Sequence, residues 1–295
     1  MKTTIDCFSC FIRQGLHASR LAGADEKQQD LVVRAVMGHL LGGESDESPV
    51  ELARSVQRIV HEITGQPDPY GTLKQHSNAQ AAAWVEKLHP HKREGSMDPL
   101  EHAVRLAVAG NIIDYGPQAP FDLGATLERC LKQPFAINDL PLLRERLGTA
   151  RTLAYLADNA GEIVFDRLLL TQLLDQSGLE KILFVVREEA FLNDALAADA
   201  DIAGIQGLDR VEILQMGPGK PPSGAASYPV WERINQCDIR LAKGQANAEC
   251  FDLEPDFFLL FMVKCEMIAH ALAENGHPKV RLGDIVITHT GVDSA

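Results

Sequence analysis

The sequence predicts an α/β fold in which a mostly parallel, layered sheet follows a helical N-terminal region. Up to about residue 148 apolar residues recur at helical spacing, and no convincing strand precedes residue 150. Beyond that point short apolar, β-branched runs alternate with helical segments, a pattern typical of a parallel sheet covered by helices. We therefore predict a helical domain over residues 1–148 and an α/β domain over 149–295.

The helical half is divided by loop-forming segments. A polar, Gly-rich stretch lies between residues 42 and 48, two prolines lie within 66–70, and Pro90 opens another break. Helices are predicted between these breaks, over residues 10–22, 27–41, 49–64, 72–88 and 99–110.

The second half alternates strands and helices from residue 151 onward. Strands are predicted over 151–157, 181–187, 210–215, 237–242, 256–263 and 284–288. Helices are predicted over 162–175, 193–202, 228–236 and 264–274. The connections should be right-handed crossovers, and ligands in such sheets bind beyond the carboxyl ends of the strands.

Two polar clusters follow the first two strands of this sheet. Asp158 and Asn159 leave the first strand together, and Gly161 allows a tight turn into the next helix. Asp194 follows the second strand. Their oxygen atoms suit a hard cation such as Mg²⁺ or Mn²⁺, although each residue is equally typical of a helix N-cap. Asp199, one helical turn beyond Asp194, is expected at the surface.

A third cluster, Lys243 with Gly244, follows the fourth strand. An ammonium group and backbone N–H groups there can bind a phosphate, although a surface lysine before a turn glycine fits the pattern too. Because the three clusters follow parallel strands, they should converge on one edge of the sheet. Two carboxylates, an amide and a lysine are suited to phosphoryl transfer assisted by a metal.

Composition excludes several classes of protein. The net charge of −13 disfavours binding to nucleic acid or to an anionic membrane. No stretch of about 20 apolar residues and no signal-peptide core is present, so we predict a cytoplasmic protein. The sequence gives no oligomeric state.

The six cysteines do not form a secreted disulfide framework. The pair Cys7 and Cys10 is compatible with metal binding or redox chemistry and equally with packing at a helix start.

The same motifs resemble the damage-control phosphatase family, long labelled domain of unknown function 89 and related to acidic-residue methyltransferase-like proteins. The N-terminal cysteine pair resembles the microbial branch. The matching motifs are DCFSCFIRQ, DPYGTLKQHSN, AGNIIDYG, DNAGEIVFD, LNDALAADA, AKGQANAE and FFLLFMVKCE, which run from residue 6 to residue 266. Two departures are REEAFLND, where the family has glycine and proline before its ND pair, and Ala246, where it has glycine.

The resemblance implies a Rossmann-like α/β/α domain packed with helices, and hydrolysis of small phosphorylated metabolites such as sugar phosphates. It implies a divalent cofactor (Mg, Mn, Co or Ni) held by Asp158, Asn159 and Asp194. Asp158 and Asp194 would act in catalysis, and the sequence leaves open whether Asp158 attacks phosphorus or only binds the metal.

The resemblance also assigns the phosphate and the substrate to other residues. Lys243 matches the family's phosphate-contacting lysine and would act in catalysis beside Gly244. Glu162 matches a residue lining the substrate pocket, and Asn111 with Asp114 match a loop brought to it.

Two other functions remain open at this point. One is an S-adenosylmethionine-dependent carboxyl methyltransferase, which the single glycine of DNAGE disfavours because nucleotide-type cofactors are usually bound by a Gly-rich first turn. The other is a protein that binds a phosphorylated ligand without turnover.

Overall fold

A computed structural model of the 295-residue chain describes residues 3–42, 47–88, 97–110, 123–217, 229–251 and 254–291. The chain divides into two compact units, Met1–Leu73 with Glu189–Asn193 and Lys74–Glu188 with Asp194–Ala295. This division follows compactness, whereas the boundary predicted at residue 148 marks the change from helices to alternating strands and helices. The predicted domain boundary therefore stays a prediction.

The first unit is built on three helices. A capping box opens the third of them, because the Ser48 hydroxyl accepts from Glu51 N–H while the Glu51 carboxylate accepts from Ser48 N–H. Gly15 lets the helices approach closely, since a Cβ there would lie 3.0 Å from Val36. The helices are α1 (Ile5–Leu21), α2 (Glu26–Gly42) and α3 (Pro49–Thr64).

Helices also precede the sheet of the second unit. The helix α5 (Pro99–Gly110) is buried along almost its whole length, and it packs against α8 (Glu162–Gln176), the helix that follows strand β2 (Thr152–Leu156). Gly110 permits this contact, because a Cβ there would lie 3.0 Å from the Phe165 ring. These helices are α4 (Gly71–Leu88), α5 (Pro99–Gly110), α6 (Leu123–Lys132) and α7 (Leu140–Leu147).

The second unit contains a seven-stranded sheet with the order β1-β7-β6-β5-β2-β3-β4. Every neighbouring pair is parallel except β6 with β7. The strands are β1 (Ile137–Asn138), β2 (Thr152–Leu156), β3 (Lys181–Arg187), β4 (Val211–Met216), β5 (Ile239–Lys243), β6 (Phe257–Met262) and β7 (Ile285–His289).

The central strands β2, β3, β5 and β6 are buried almost throughout, which explains their continuous apolar sequence. Helices cover the sheet, and α8 buries Ile163, Phe165 and Leu169 against it. The helices that follow the strands are α8 (Glu162–Gln176), α9 (Ala197–Ile202), α10 (Pro229–Asn235), α11 (Gln245–Phe251) and α12 (Glu266–Glu274).

The predicted fold class, a mostly parallel α/β sheet with helical N-terminal segments, is confirmed. Several details differ from the prediction. A short strand, β1, forms before residue 150, where no strand was predicted, by pairing with β7. The helix α1 begins at Ile5 rather than at residue 10, and the helix α11, which begins directly after Gly244, was not predicted. The helix predicted from residue 193 begins only at Ala197, since residues 194–196 are extended. Among the described residues no helix has the length and apolar character needed to cross a membrane.

Candidate functional site

The candidate site lies at the carboxyl end of β2, in the middle of the sheet. The chain proceeds from β2 to β3 on one side, whereas the strand on the other side, β5, comes much later in the sequence. This is a topological switch point, where adjacent connections leave in opposite directions and open a crevice for a ligand. The residues that follow β2, β3 and β5 are therefore the ones that can line it.

Asp158 and Asn159 form the turn after β2, and both are almost fully buried. The Asn159 amide donates to Asp158 Oδ2 over 2.9 Å, so the two side chains meet on one side of the turn. Gly161 ends the turn with φ +81°, a left-handed conformation that favours glycine, and a Cβ there would lie 2.9 Å from Ser77. The sequence therefore folds DNAG into a tight strand-to-helix turn that presents two oxygen-bearing side chains.

Asp194 reaches the same place through a short extended segment, residues 194–196. This segment bridges to Asn159 on one side and, through Leu196, to Arg187 at the end of β3 on the other. The Ala195 N–H donates to the Asp158 carbonyl over 2.8 Å. The predicted metal ligands Asp158, Asn159 and Asp194 are thus brought together, and Asp194 is also buried.

Arg187 is a buried residue of this site that sequence reasoning missed. Its Nε donates to Asp194 Oδ2 over 2.5 Å, and Nη2 donates to Asn247 Oδ1 over 3.3 Å. Burial opposes the charged guanidinium, but Asp194 and, more weakly, Cys250 and Asp158 leave the pKa of Arg187 raised. The arginine therefore fixes one carboxylate and lies within electrostatic range of the other.

Asn247, on α11, ties the strand ends together and was also missed. Its Nδ2 donates to the Ala157 carbonyl after β2 and to the Lys243 carbonyl at the end of β5, over 3.0 and 2.7 Å. With Arg187 it links the ends of β2, β3 and β5. The only sequence signal was its place one turn after the predicted Lys–Gly pair.

Gly244 makes room for Asp158. Its φ is +84°, and a Cβ there would lie 1.8 Å from Asp158 Oδ2. The Gly244 N–H donates to the Leu260 carbonyl over 3.0 Å, so this amide is engaged within the sheet. The glycine is needed for close approach of the Asp158 carboxylate, and its predicted contact with a phosphate stays a prediction.

Lys243 is fully buried behind the same turn. Its ammonium donates to Glu162 Oε1 and Asp166 Oδ1, both over 2.6 Å, and to the Ala107 carbonyl over 3.0 Å. An ammonium has three donors, and these contacts use all three. The predicted contact with a phosphate also stays a prediction, since it requires one of these bonds to be exchanged for a phosphoryl oxygen.

The ammonium charge of Lys243 is balanced by the carboxylates bonded to it. Burial would lower the pKa of Lys243, but the carboxylates of Asp166 and Glu162 raise it overall. Burial raises the pKa of Asp166 to about 7, against the opposing effect of Lys243. Burial, and then Asp166, also raise the pKa of the Tyr155 phenol. Lys243 is therefore a cation at neutral pH, held by carboxylates of α8.

The remaining predicted residues differ in outcome. Glu162 is the first residue of α8, fully buried and bonded to Lys243. Asn111 and Asp114 lie outside the described residues. Asp199, which was expected at the surface, is 6% exposed and bonded to Asn78, so that expectation was wrong.

The donor set fits a hard divalent cation. Two buried carboxylates and a buried amide on neighbouring backbone segments offer the oxygen ligands that Mg²⁺ and Mn²⁺ prefer. Within the described ranges, no three His, Cys, Asp or Glu side chains are grouped as a metal site. A cation here would take its other ligands from water or substrate, as Mg²⁺ in phosphoryl-transfer sites commonly does.

Comparison with known proteins shows which family and which solved structure this chain is similar to. Residues 3–279 match the family model described as the damage-control phosphatase ARMT1-like domain. The chain is 33% identical to a damage-control phosphatase from Archaeoglobus fulgidus, over 97% of this chain and 98% of that one. It is 29% identical to a damage-control phosphatase from Pyrococcus horikoshii, over 92% and 94%. A crystal structure of a domain-of-unknown-function-89 family protein from P. horikoshii superposes with a TM-score of 0.83 at 26% identity, covering 98% and 99%.

Proposed function

Because the chain belongs to the damage-control phosphatase ARMT1-like family, we propose that it is a divalent-metal-dependent phosphatase that hydrolyses small phosphorylated metabolites. Relatives named damage-control phosphatases align with nearly the whole chain and support phosphatase activity. The observation that carries the metal dependence is the convergence of Asp158, Asn159 and Asp194 at the switch point of the sheet.

In this proposal Asp158, Asn159 and Asp194 hold the cation. When bound, a divalent cation polarises a phosphoryl oxygen and helps to align the group for in-line displacement. Arg187 orients the Asp194 carboxylate through its bond to Oδ2. Gly244 lets the Asp158 carboxylate lie against the backbone, where a Cβ would collide with it. The chain's own contribution is therefore a fixed set of oxygen atoms beyond the carboxyl ends of β2 and β3.

Lys243 supplies a fixed positive charge behind the turn. Its bonds to Glu162 and Asp166 hold it at the N-terminus of α8, where the helix dipole is also positive. Because these carboxylates balance its charge, Lys243 would favour an anionic phosphoryl group through direct contact, with one of its present bonds exchanged for a phosphoryl oxygen. The proposed substrates are sugar phosphates and similar monoesters, and the proposed metals are Mg, Mn, Co and Ni.

The test is a metal-by-substrate screen on the chelated and reloaded protein. We expect release of inorganic phosphate from p-nitrophenyl phosphate and from sugar phosphates only with a divalent cation. Asp194→Asn should lower turnover by at least about 100-fold, because it removes the negative charge of a proposed metal ligand and the ion pair with Arg187. Asp201→Asn is the matched control, since Asp201 lies exposed on α9.

Three results would contradict the proposal. Full turnover of Asp194→Asn at the same metal concentration would show that Asp194 is not a metal ligand. Methyl transfer from S-adenosylmethionine by a protein that releases no phosphate would favour the methyltransferase alternative, and binding of phosphate esters without turnover in any metal would indicate a binding protein.

A further inference from the structure

We infer that Asn78 and Asp199 form a brace that positions the two segments carrying the site's aspartates, so that both residues are positioning residues for cation binding. This inference rests on the proposed function. The brace is the pair of side chains itself, which joins helix α4 to helix α9 across the turn after β2 and the extended segment after β3.

Asn78 contacts the first of these segments. Its side-chain oxygen accepts from the Gly161 N–H over 2.6 Å, two residues beyond Asn159. The backbone donor fixes the orientation of the amide, because only the oxygen can face an N–H group. The neighbouring Ser77 packs against Gly161 so closely that a Cβ there would not fit. Helix α4 therefore sets the position of the turn that presents Asp158 and Asn159.

Asp199 contacts the second segment. Its Oδ2 accepts from the Leu196 N–H over 2.9 Å, two residues beyond Asp194. Its Oδ1 accepts from the Asn78 Nδ2 over 2.7 Å. One continuous chain of hydrogen bonds therefore runs from the Gly161 amide through Asn78 and Asp199 to the Leu196 amide.

Burial gives this chain its effect. Asn78 is 2% exposed and Asp199 is 6% exposed, so water competes little for either side chain. Hydrogen bonds in such surroundings are stronger than hydrogen bonds that are exposed to water. Both ends of the brace lie within two residues of a proposed ligand, and outer contacts that orient ligands typically change metal affinity by about 10- to 100-fold when they are lost.

The donors and acceptors of the brace allow a swap experiment. In Asp199→Asn the new amide meets two donors, Asn78 Nδ2 and Leu196 N–H, and can accept from only one through its oxygen. In the double variant N78D/D199N, the carboxylate at 78 accepts from Gly161 and from the amide at 199. That amide's oxygen accepts from Leu196, so every bond is restored with one direction reversed.

The measurements are Mn²⁺ binding, followed by electron paramagnetic resonance, and backbone hydrogen exchange of residues 156–163 and 194–198. We expect D199N to weaken Mn²⁺ binding by about tenfold or more and to speed exchange in both segments. The swap should return Mn²⁺ affinity to within about threefold of the original protein. D199N is the decisive single variant, because the amide at position 199 cannot gain or lose a proton and so cannot accept from both Asn78 Nδ2 and Leu196 N–H.

The control is Asp238→Ala, at the amino ends of β2 and β5 and therefore at the end of the sheet that is remote from the site. Asp238 accepts from the backbone N–H groups of Arg151 and Thr152 and from the Thr152 hydroxyl, at the start of β2. It should lower the free energy of unfolding while leaving Mn²⁺ affinity within about twofold. A loss of Mn²⁺ affinity in this control equal to that in D199N would overturn the brace, since general destabilisation would then explain both.

The outcomes separate the brace from the proposed function. Failure of the unmodified protein to bind Mn²⁺ would count against the metal dependence, and the exchange data would still decide the brace. Unchanged exchange and affinity in D199N, or a swap that restores neither, would overturn it. If D199N alone did not fold, recovery of the fold in the swap would support the brace and an unfolded swap would overturn it.

Discussion

Replacing Gly244 with alanine is the most direct test of how the chain makes room for the Asp158 carboxylate. The new Cβ would lie 1.8 Å from Asp158 Oδ2 and 2.1 Å from its Cγ, whereas a Cβ contact below 3.0 Å is essentially never seen. The carboxylate must therefore move by at least 1.2 Å, the difference between 3.0 and 1.8 Å. Ligand distances in a metal site tolerate only about 0.2 Å, so the move should abolish the site's geometry.

Two effects add in this variant and must be separated. Alanine at φ +84° is strained whatever surrounds it, and a residue in a sparsely populated backbone region costs about 1–3 kcal/mol of stability. The displacement of Asp158 comes in addition and should lower turnover by about 100-fold or more, the scale of a misplacement of about 1 Å. Gly276→Ala is the matched control, because Gly276 has φ +93° and nothing within 4 Å of a Cβ.

The assays are denaturant unfolding and phosphate release with Mn²⁺ at matched protein concentration. We expect both alanine variants to lose a similar part of their stability to backbone strain, and only Gly244→Ala to lose turnover and Mn²⁺ binding. Turnover in Gly244→Ala equal to that of Gly276→Ala would refute the reasoning, since it would show that the position of Asp158 does not matter.

Three further predictions concern the charged groups and the metal. Arg187→Met removes the buried partner of Asp194 and should lower the free energy of unfolding by about 3–5 kcal/mol in urea titrations, whereas removal of the exposed Arg34 should change it little. Burial raises the pKa of Asp166 from 3.8 to about 7. The stabilisation that comes from its bound proton is therefore complete below pH 3.8 and is lost as the pH rises to about 7. In Asp166→Asn the free energy of unfolding, measured by urea titration, should fall less across that pH range. Mn²⁺ at about 100 times its dissociation constant should stabilise the unmodified protein by about 2.7 kcal/mol in thermal melts, and a rise of equal size in Asp194→Asn would contradict the ligand assignment.

The position of the candidate site was predictable because it depends on topology alone. Buried parallel strands are recognised in a sequence as apolar runs, and the residues that follow them must meet at one edge of the sheet. Asp158, Asn159 and Asp194 therefore came together as expected from the residues that follow the first two predicted strands. The catalytic and metal-binding roles assigned to them stay predictions.

The sequence could not show which polar residues are turned inward by distant partners. Asp199 fits an exposed helical position until Asn78, 121 residues away, supplies a buried donor. Arg187 ends an apolar strand, and its partner Asn247 is 60 residues further on. Lys243 did have a readable signal, because two acidic residues four positions apart on the otherwise apolar start of α8 must lie on one face of the helix.

Both buried cations of the site are already engaged by carboxylates of the chain. Lys243 is paired with Glu162 and Asp166 on α8, and Arg187 is paired with Asp194. Neither cation therefore presents a free positive charge to an incoming phosphate ester. In the proposed hydrolysis a divalent cation held by Asp158, Asn159 and Asp194 would supply that charge, so we expect the phosphate ester to bind after the metal.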